Sequence, residues 1–200
     1  MKQENVLIIF TKNLIYGKVK TRLAATIGND KAYQVYKDLI AHTHFVTDQL
    51  SCDKVVYYSE HMEIEDIWAP NYRKAKQQGN DLGKRMMNAF YDIFQHGYSK
   101  AAIIGTDCVT LNADIINKAF EELNNHDIVI GPSLDGGYYL LAMKTLHQNL
   151  FENIAWSTET VFDATIAACN YLGLSYYLLP ALNDVDEEKD LEDLKEINLI

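Results

Sequence analysis

With 200 residues, 48% hydrophobic content and 23% charged residues, the chain has enough apolar side chains to bury a sizeable core as one domain over residues 1–200. Its formal net charge of −10 argues against a general nucleic-acid binder. No apolar run reaches the roughly 20 residues that cross a bilayer, so no membrane span is expected.

The opening MKQENVLIIF has too short an apolar core and no small-residue cleavage site for a secretion signal, which predicts a soluble cytoplasmic protein. Cys52, Cys108 and Cys169 are odd in number and lack CxxC spacing, against both a disulfide framework and a zinc site. His42 and His44 stand two apart in a helical pattern and point to different sides, and the six histidines are not expected to be ligands. Charge is unevenly spread: residues 184–200 carry eight acids against two lysines, whereas residues 11–27 carry four bases and no acid. One concentrated basic loop on an acidic protein suits a small phosphorylated ligand.

In chain order, NVLIIF (5–10) reads as a central strand, and residues 31–50 as a helix with Tyr36, Leu39, Ile40, Thr43 and Val46 in one stripe. KVVYYS (54–59) is a β-branched and aromatic strand. After a loop around Trp68 and Pro70, DLGKRMMNAFYDIFQHG predicts a helix that puts Leu82, Met86, Ala89, Phe90 and Ile93 on one face and ends at Gly97. AAIIG is the next strand, followed by a helix capped near Asn112 with Asp114 in its first turn. DIVIGP and YYLLAM are strands flanking the loop SLDGG. STETVFDATIAACNYLGL predicts a helix with Ser157 as its cap and Gly173 at its end; SYYLLP is a last strand and EEKDLEDLKEI an acidic closing helix. The alternation predicts an α/β fold with a mostly parallel sheet covered by helices on both faces.

Ligands of such sheets collect beyond the carboxyl ends of the strands. AAIIGTDCVTL ends its apolar run there and delivers Asp107, although a loop aspartate also serves as a turn residue or helix cap. The first strand runs into FTKNLIYGKVKTRLA, where Gly17 permits a tight turn and Lys12, Lys18, Lys20 and Arg22 crowd around it. Arginine offers a fork and lysine a point charge to a diphosphate, so phosphate binding is favoured over a solvated loop, without a Walker or GxGxxG motif. QQGNDLGKRM places Gly79 and Gly83 around a helix start that would favour an anion, with Asp81 as an alternative cap. In GPSLDGGYYLLAM, Gly136 and Gly137 after Asp135 let backbone approach a ligand, and Tyr138 and Tyr139 offer ring faces, though Asp-Gly is also a hairpin signal. Asp184 and Asp186 are hard oxygen donors suited to Mg²⁺ or Mn²⁺, while most later acids fit a solvated helix face.

Taken in series, FTKNLIYGKVKTRLA, GNDLGKRM, IIGTDCVTL, GPSLDGGYYLLAM, IAWSTETVF and NDVDEEKDL resemble a bacterial glycosyltransferase-like family, DUF2064, some of whose members are described as arsenosugar-biosynthesis glycosyltransferases. The likeness covers nearly the whole chain. It implies a three-layer α/β/α sandwich of the nucleotide-diphospho-sugar transferase (GT-A-like) type. It also implies Lys12, Lys20 and Arg22 under the nucleotide phosphates, Asp107 and Asp186 at a divalent metal, and Asp135, Gly136, Gly137, Tyr138, Trp156 and Thr158 around the sugar or acceptor. The family usually reads PxPGxVKTRL and GTDSPxL, so this chain lacks the prolines of two turns.

The expected reaction is metal-dependent glycosyl transfer from a nucleotide sugar to a small acceptor, with Asp135 as acceptor ligand or general base. Two alternatives stand beside it. One is a nucleotidyltransferase joining a nucleoside monophosphate to a phosphorylated small molecule; the other is a non-catalytic nucleotide-binding module.

Overall fold

The structure, a computed structural model, describes residues 4–68 and 70–192. In chain order it comprises β1 (Asn5–Thr11), α1 (Thr21–Ile27), α2 (Asn29–Asp48), β2 (Asp53–Tyr58), β3 (Arg73–Lys76), α3 (Leu82–Gln95), β4 (Lys100–Ile104), α4 (Ala113–Glu122), β5 (Ile128–Pro132), β6 (Tyr138–Met143), α5 (Val161–Leu172) and β7 (Tyr176–Leu178). Short 3-10 turns lie at Gln148–Phe151 and Glu188–Asp190.

Strands apolar on both sides decide the architecture, because each must be covered twice. In β1, Leu7 and Ile9 face one layer and Val6 and Ile8 the other; β2 and β4 divide in the same way. The first layer is α1, α2 and α4, which bring Leu23, Tyr36, Leu39, Ile116 and Phe120 to the sheet. The second is α3 and α5 with the 3-10 turn at 148–151, which bring Met86, Phe90, Ile93, Phe151 and Cys169. The result is a three-layer α/β/α sandwich.

The seven strands run in the order β3-β2-β1-β4-β6-β5-β7. Neighbours are parallel except around β6, which is antiparallel to both β4 and β5. Reversal of β6 puts its amino end beside the carboxyl ends of the other strands, so the SLDGG loop joins the same rim.

The long helix carries its buried stripe as its spacing requires, and Asn112 caps α4 by accepting from the Ile115 backbone N–H at 3.0 Å. Asp81 caps α3, accepting from Lys84 N–H at 2.7 Å. His42 is partly buried, while the His44 ring packs 5.6 Å from that of Trp68 and 5.4 Å from that of Tyr72. The three cysteines are free and buried, and among the described residues no helix is long and apolar enough to cross a membrane.

Three expectations need correction. Leu82 is 42% exposed rather than in the apolar face, because it opens α3 at the rim. Ser157 caps nothing: it sits at φ 63° in a turn tied by the Thr158 hydroxyl to Ala155 O at 2.7 Å, and α5 starts four residues later from Thr160. The final strand is limited to Tyr176–Leu178. The acidic closing segment opens with a 3-10 turn at Glu188–Asp190 and is helical at 191–192, and the rest of the expected helix, from residue 193, lies outside the described residues.

Candidate active site at the strand ends

A cavity of about 1070 Å³ opens at the rim where β1 to β4 end and β6 begins. Its floor is set by Tyr36 of α2, whose hydroxyl accepts from Lys12 N–H at 2.8 Å and lies 3.1 Å from the Thr106 hydroxyl. One buried phenol thus ties the exit of β1 to the exit of β4, which aims the turn carrying Asp107 into the cavity.

Lys20 provides the most specific geometry. It is the N-cap of α1 and adopts φ 47° and ψ 46°, a left-handed backbone that costs a non-glycine residue about 1–2 kcal/mol. That conformation turns its side chain inward, where Nζ meets Asp107 Oδ1 at 2.7 Å and Asp186 Oδ1 at 3.0 Å. Burial works against the ammonium, but Asp107 and then Asp186 outweigh it and hold its pKa above the ordinary lysine range. Arg22, exposed, approaches Asp186 Oδ2 at 3.9 Å.

The segment carrying Asp184 and Asp186 is laced to the site by its backbone. Val185 N–H donates to Asp107 O at 2.9 Å and Leu182 N–H to Pro132 O at 3.1 Å. Asp190 accepts from the N–H groups of Asp186 and Glu187 at 3.0 and 2.8 Å, which fixes the turn behind them. Asp184 accepts from the Ser133 hydroxyl at 3.2 Å. Burial, then the charges of Asp107 and Asp135, push its carboxyl up to about 7.

The remaining site residues fall into distinct places. Lys12, Lys18 and Arg22 are exposed cations on the cavity wall; Gly17, at φ 73°, makes the turn between them and does not line the cavity. Gly83 is buried beneath the indole of Trp156, where a Cβ would lie 2.0 Å from Cε2, so its role is close packing. Trp156 in turn stacks on Phe151 at 6.2 Å between ring centroids. Asp135 is exposed and accepts from Gly137 N–H at 2.9 Å, while Gly136 at φ 88° lies so close to Glu159 that a Cβ would meet its carbonyl oxygen at 2.0 Å. Gly136 O also accepts from Phe162 N–H at 2.9 Å, docking the start of α5 on the DGG loop. Tyr138 and Thr158 line the cavity. The Tyr139 ring packs over Gly131, and its hydroxyl donates to Pro180 O at 2.9 Å.

Sequence reasoning passed over Tyr36, Gln77 and Arg85. Arg85 lines the cavity and donates from Nε to Gly79 O at 3.1 Å; buried Gln77 donates to Tyr57 O at 2.9 Å. The only trace of Arg85 in the sequence is a second cation beside Lys84 in the first turn of α3.

The donor set suits a hard divalent cation in one particular way. Asp107 and Asp186 converge on one point, and the buried Asp107 Oδ1 has no hydrogen bond of normal geometry despite its contact with Lys20. Among the described residues no three His, Cys, Asp or Glu side chains form a complete cage. Two carboxylates completed by phosphate oxygens and water are the usual pattern for Mg²⁺.

Known structures share this fold. The crystal structure of a candidate nucleotide-diphospho-sugar transferase from Desulfovibrio desulfuricans G20 is similar over 99% of this chain and 88% of that one, at 32% identity and a TM-score of 0.91. An inositol-1-phosphate CTP transferase from T. maritima matches over 99% and 97% of the two chains at 13% identity and a TM-score of 0.57. A 4-diphosphocytidyl-2C-methyl-D-erythritol synthase matches over 99% and 100% at 13% identity and a TM-score of 0.60. The last two establish likeness of fold alone. No curated protein matches the sequence. The fold is that of the nucleotide-diphospho-sugar transferases, and with residues 42–158 matching its pattern, the chain belongs to the family described as an uncharacterized protein conserved in bacteria, DUF2064.

Proposed function

We propose that this protein is a cytoplasmic transferase that moves a glycosyl group from a nucleotide-diphosphate sugar to a small acceptor with the help of Mg²⁺ or Mn²⁺. The observation that carries this reading is the convergence of Asp107 and Asp186 on one point at a rim whose wall is cationic with Lys12, Lys18, Arg22 and Arg85. Acids that meet at a point can hold a cation, and bases around them can hold phosphate. A cavity of about 1070 Å³ has room for a nucleotide and a second molecule.

Asp107 and Asp186 would hold the divalent cation, which supplies charge neutralisation of the leaving diphosphate. Arg22 and Lys12 would grip the diphosphate oxygens from the solvent side. Asp135 and Thr158, at the opposite wall with Trp156, would orient the acceptor, and Asp135 is exposed enough to take a proton from an acceptor hydroxyl.

Nucleotidyl transfer is the second reading. It is favoured by the concentration of cations on the turn after β1 and by a fold shared with the T. maritima CTP transferase. Thermal-shift titrations with nucleoside triphosphates and nucleotide sugars, with and without Mn²⁺, test both when followed by product analysis. Metal-dependent stabilisation by one nucleotide sugar, abolished in Asp107→Ala, with release of a nucleoside diphosphate, is the expected result. Pyrophosphate release from a triphosphate would select nucleotidyl transfer instead, and no stabilisation by any nucleotide would overturn both.

A further inference from the structure

The point on which Asp107 and Asp186 converge is already filled. Lys20 Nζ lies within 3.0 Å of both carboxylates, and the lysine side chain is only 4% exposed. A strained left-handed backbone holds it there, although α1 would start more cheaply from a glycine or asparagine at that position.

The fit is nevertheless imperfect. Asp107 Oδ1 is buried and 2.7 Å from the ammonium, yet the contact lacks the angles of a hydrogen bond. An ammonium offers three directed donors, whereas a divalent cation attracts oxygens without regard to N–H direction. The ammonium thus makes a proper hydrogen bond to Asp186 Oδ1 alone, and its hold on Asp107 is one of charge, which a divalent cation can supply as well.

We propose that Lys20 and a divalent cation are alternative occupants of one seat: the ammonium holds Asp107 and Asp186 together in the nucleotide-free protein and is displaced when metal arrives. The inference rests on reading the cavity as a nucleotide and metal site. Single occupancy follows from charge, since a second cation within about 3 Å of Nζ would be strongly repelled. The displaced ammonium stays on the turn that carries Lys18 and Arg22, both on the cavity wall, and so arrives among the groups placed to hold phosphate. Metal binding to the free protein is then suppressed until something rewards the lysine for moving, and a diphosphate is such a group.

Mn²⁺ titration of the purified protein, followed by electron paramagnetic resonance without nucleotide, tests this directly. Lys20→Met should bind one Mn²⁺ at least about tenfold more tightly than the wild type, and Lys20→Arg, which keeps the charge, should gain little. Adding Asp107→Asn to Lys20→Met should remove the gain. A folded Lys20→Met with no tighter Mn²⁺ binding overturns the proposal. Should that variant not fold, acetic anhydride labelling of the wild type gives the answer: Lys20 acetylation should rise as Mg²⁺ is added, and protection unchanged up to high Mg²⁺ overturns it. If Mn²⁺ binding behaves as expected while no nucleotide binds, the seat exchange stands and the transferase reading falls.

Discussion

Asp184 shows how much one residue's surroundings decide. Burial, Asp107 and Asp135 raise its carboxyl to about 7 from the ordinary 3.8. A carboxyl raised on folding binds its proton more tightly in the folded state. Its contribution to stability is therefore fully present below about 3.8 and is lost as the pH rises through about 7. Asp184→Asn, which mimics the protonated form, should melt with the wild type at pH 4 and at a higher temperature at pH 8. Scanning fluorimetry without added metal reads this, and identical melting curves for the two proteins at pH 8 would contradict it. The place of Asp107 on the cavity wall was legible because it follows the short apolar run of a strand that ends at the rim. The ion pairs that Lys20 makes with Asp107 and Asp186 were not legible: the lysine and Asp186 are 166 residues apart, and nothing in GKVKTRL marks Lys20 as left-handed.

Among elements, α3 and the segment 152–160 depend on each other through the absence of one side chain. Gly83→Ala would put a methyl group 2.0 Å from the Trp156 indole, so either the helix or the loop must shift. The expected loss is about 1–3 kcal/mol, seen as a lower urea midpoint together with a changed tryptophan emission. An unchanged midpoint would show that the loop yields freely. Elements buried on both faces, such as β1, β2 and β4, were legible because each is a short apolar run. β3 was not, since Arg73–Lys76 reads RKAK and lies at the edge of the sheet, where polar residues are tolerated. Nor was α1, whose first turn is hidden in a run of bases that reads as a loop. Neither segment carries the apolar run or periodicity that marks an element in a sequence.

For the whole molecule, the sheet order carries the argument. β4 pairs with β1 on one side and with β6 on the other, so the half that holds the basic turn and the half that holds the DGG loop share one unbroken sheet. Heating should therefore give a single calorimetric transition, with an enthalpy of about 140 kcal/mol for a chain of this length. Two resolved peaks would mean that the halves unfold separately. The reversed strand has another consequence, for the order in which the molecule can be made. A ribosome delivers β5 before β6, yet β6 takes the inner position next to β4 and β5 lies outside it. Until Met143 has emerged, the nascent chain holds an open apolar edge at Ala101–Ile104 with no legitimate partner. That edge is open during synthesis between the appearance of β4 and that of β6, the interval in which a chaperone or rapid elongation would guard the chain against pairing with another.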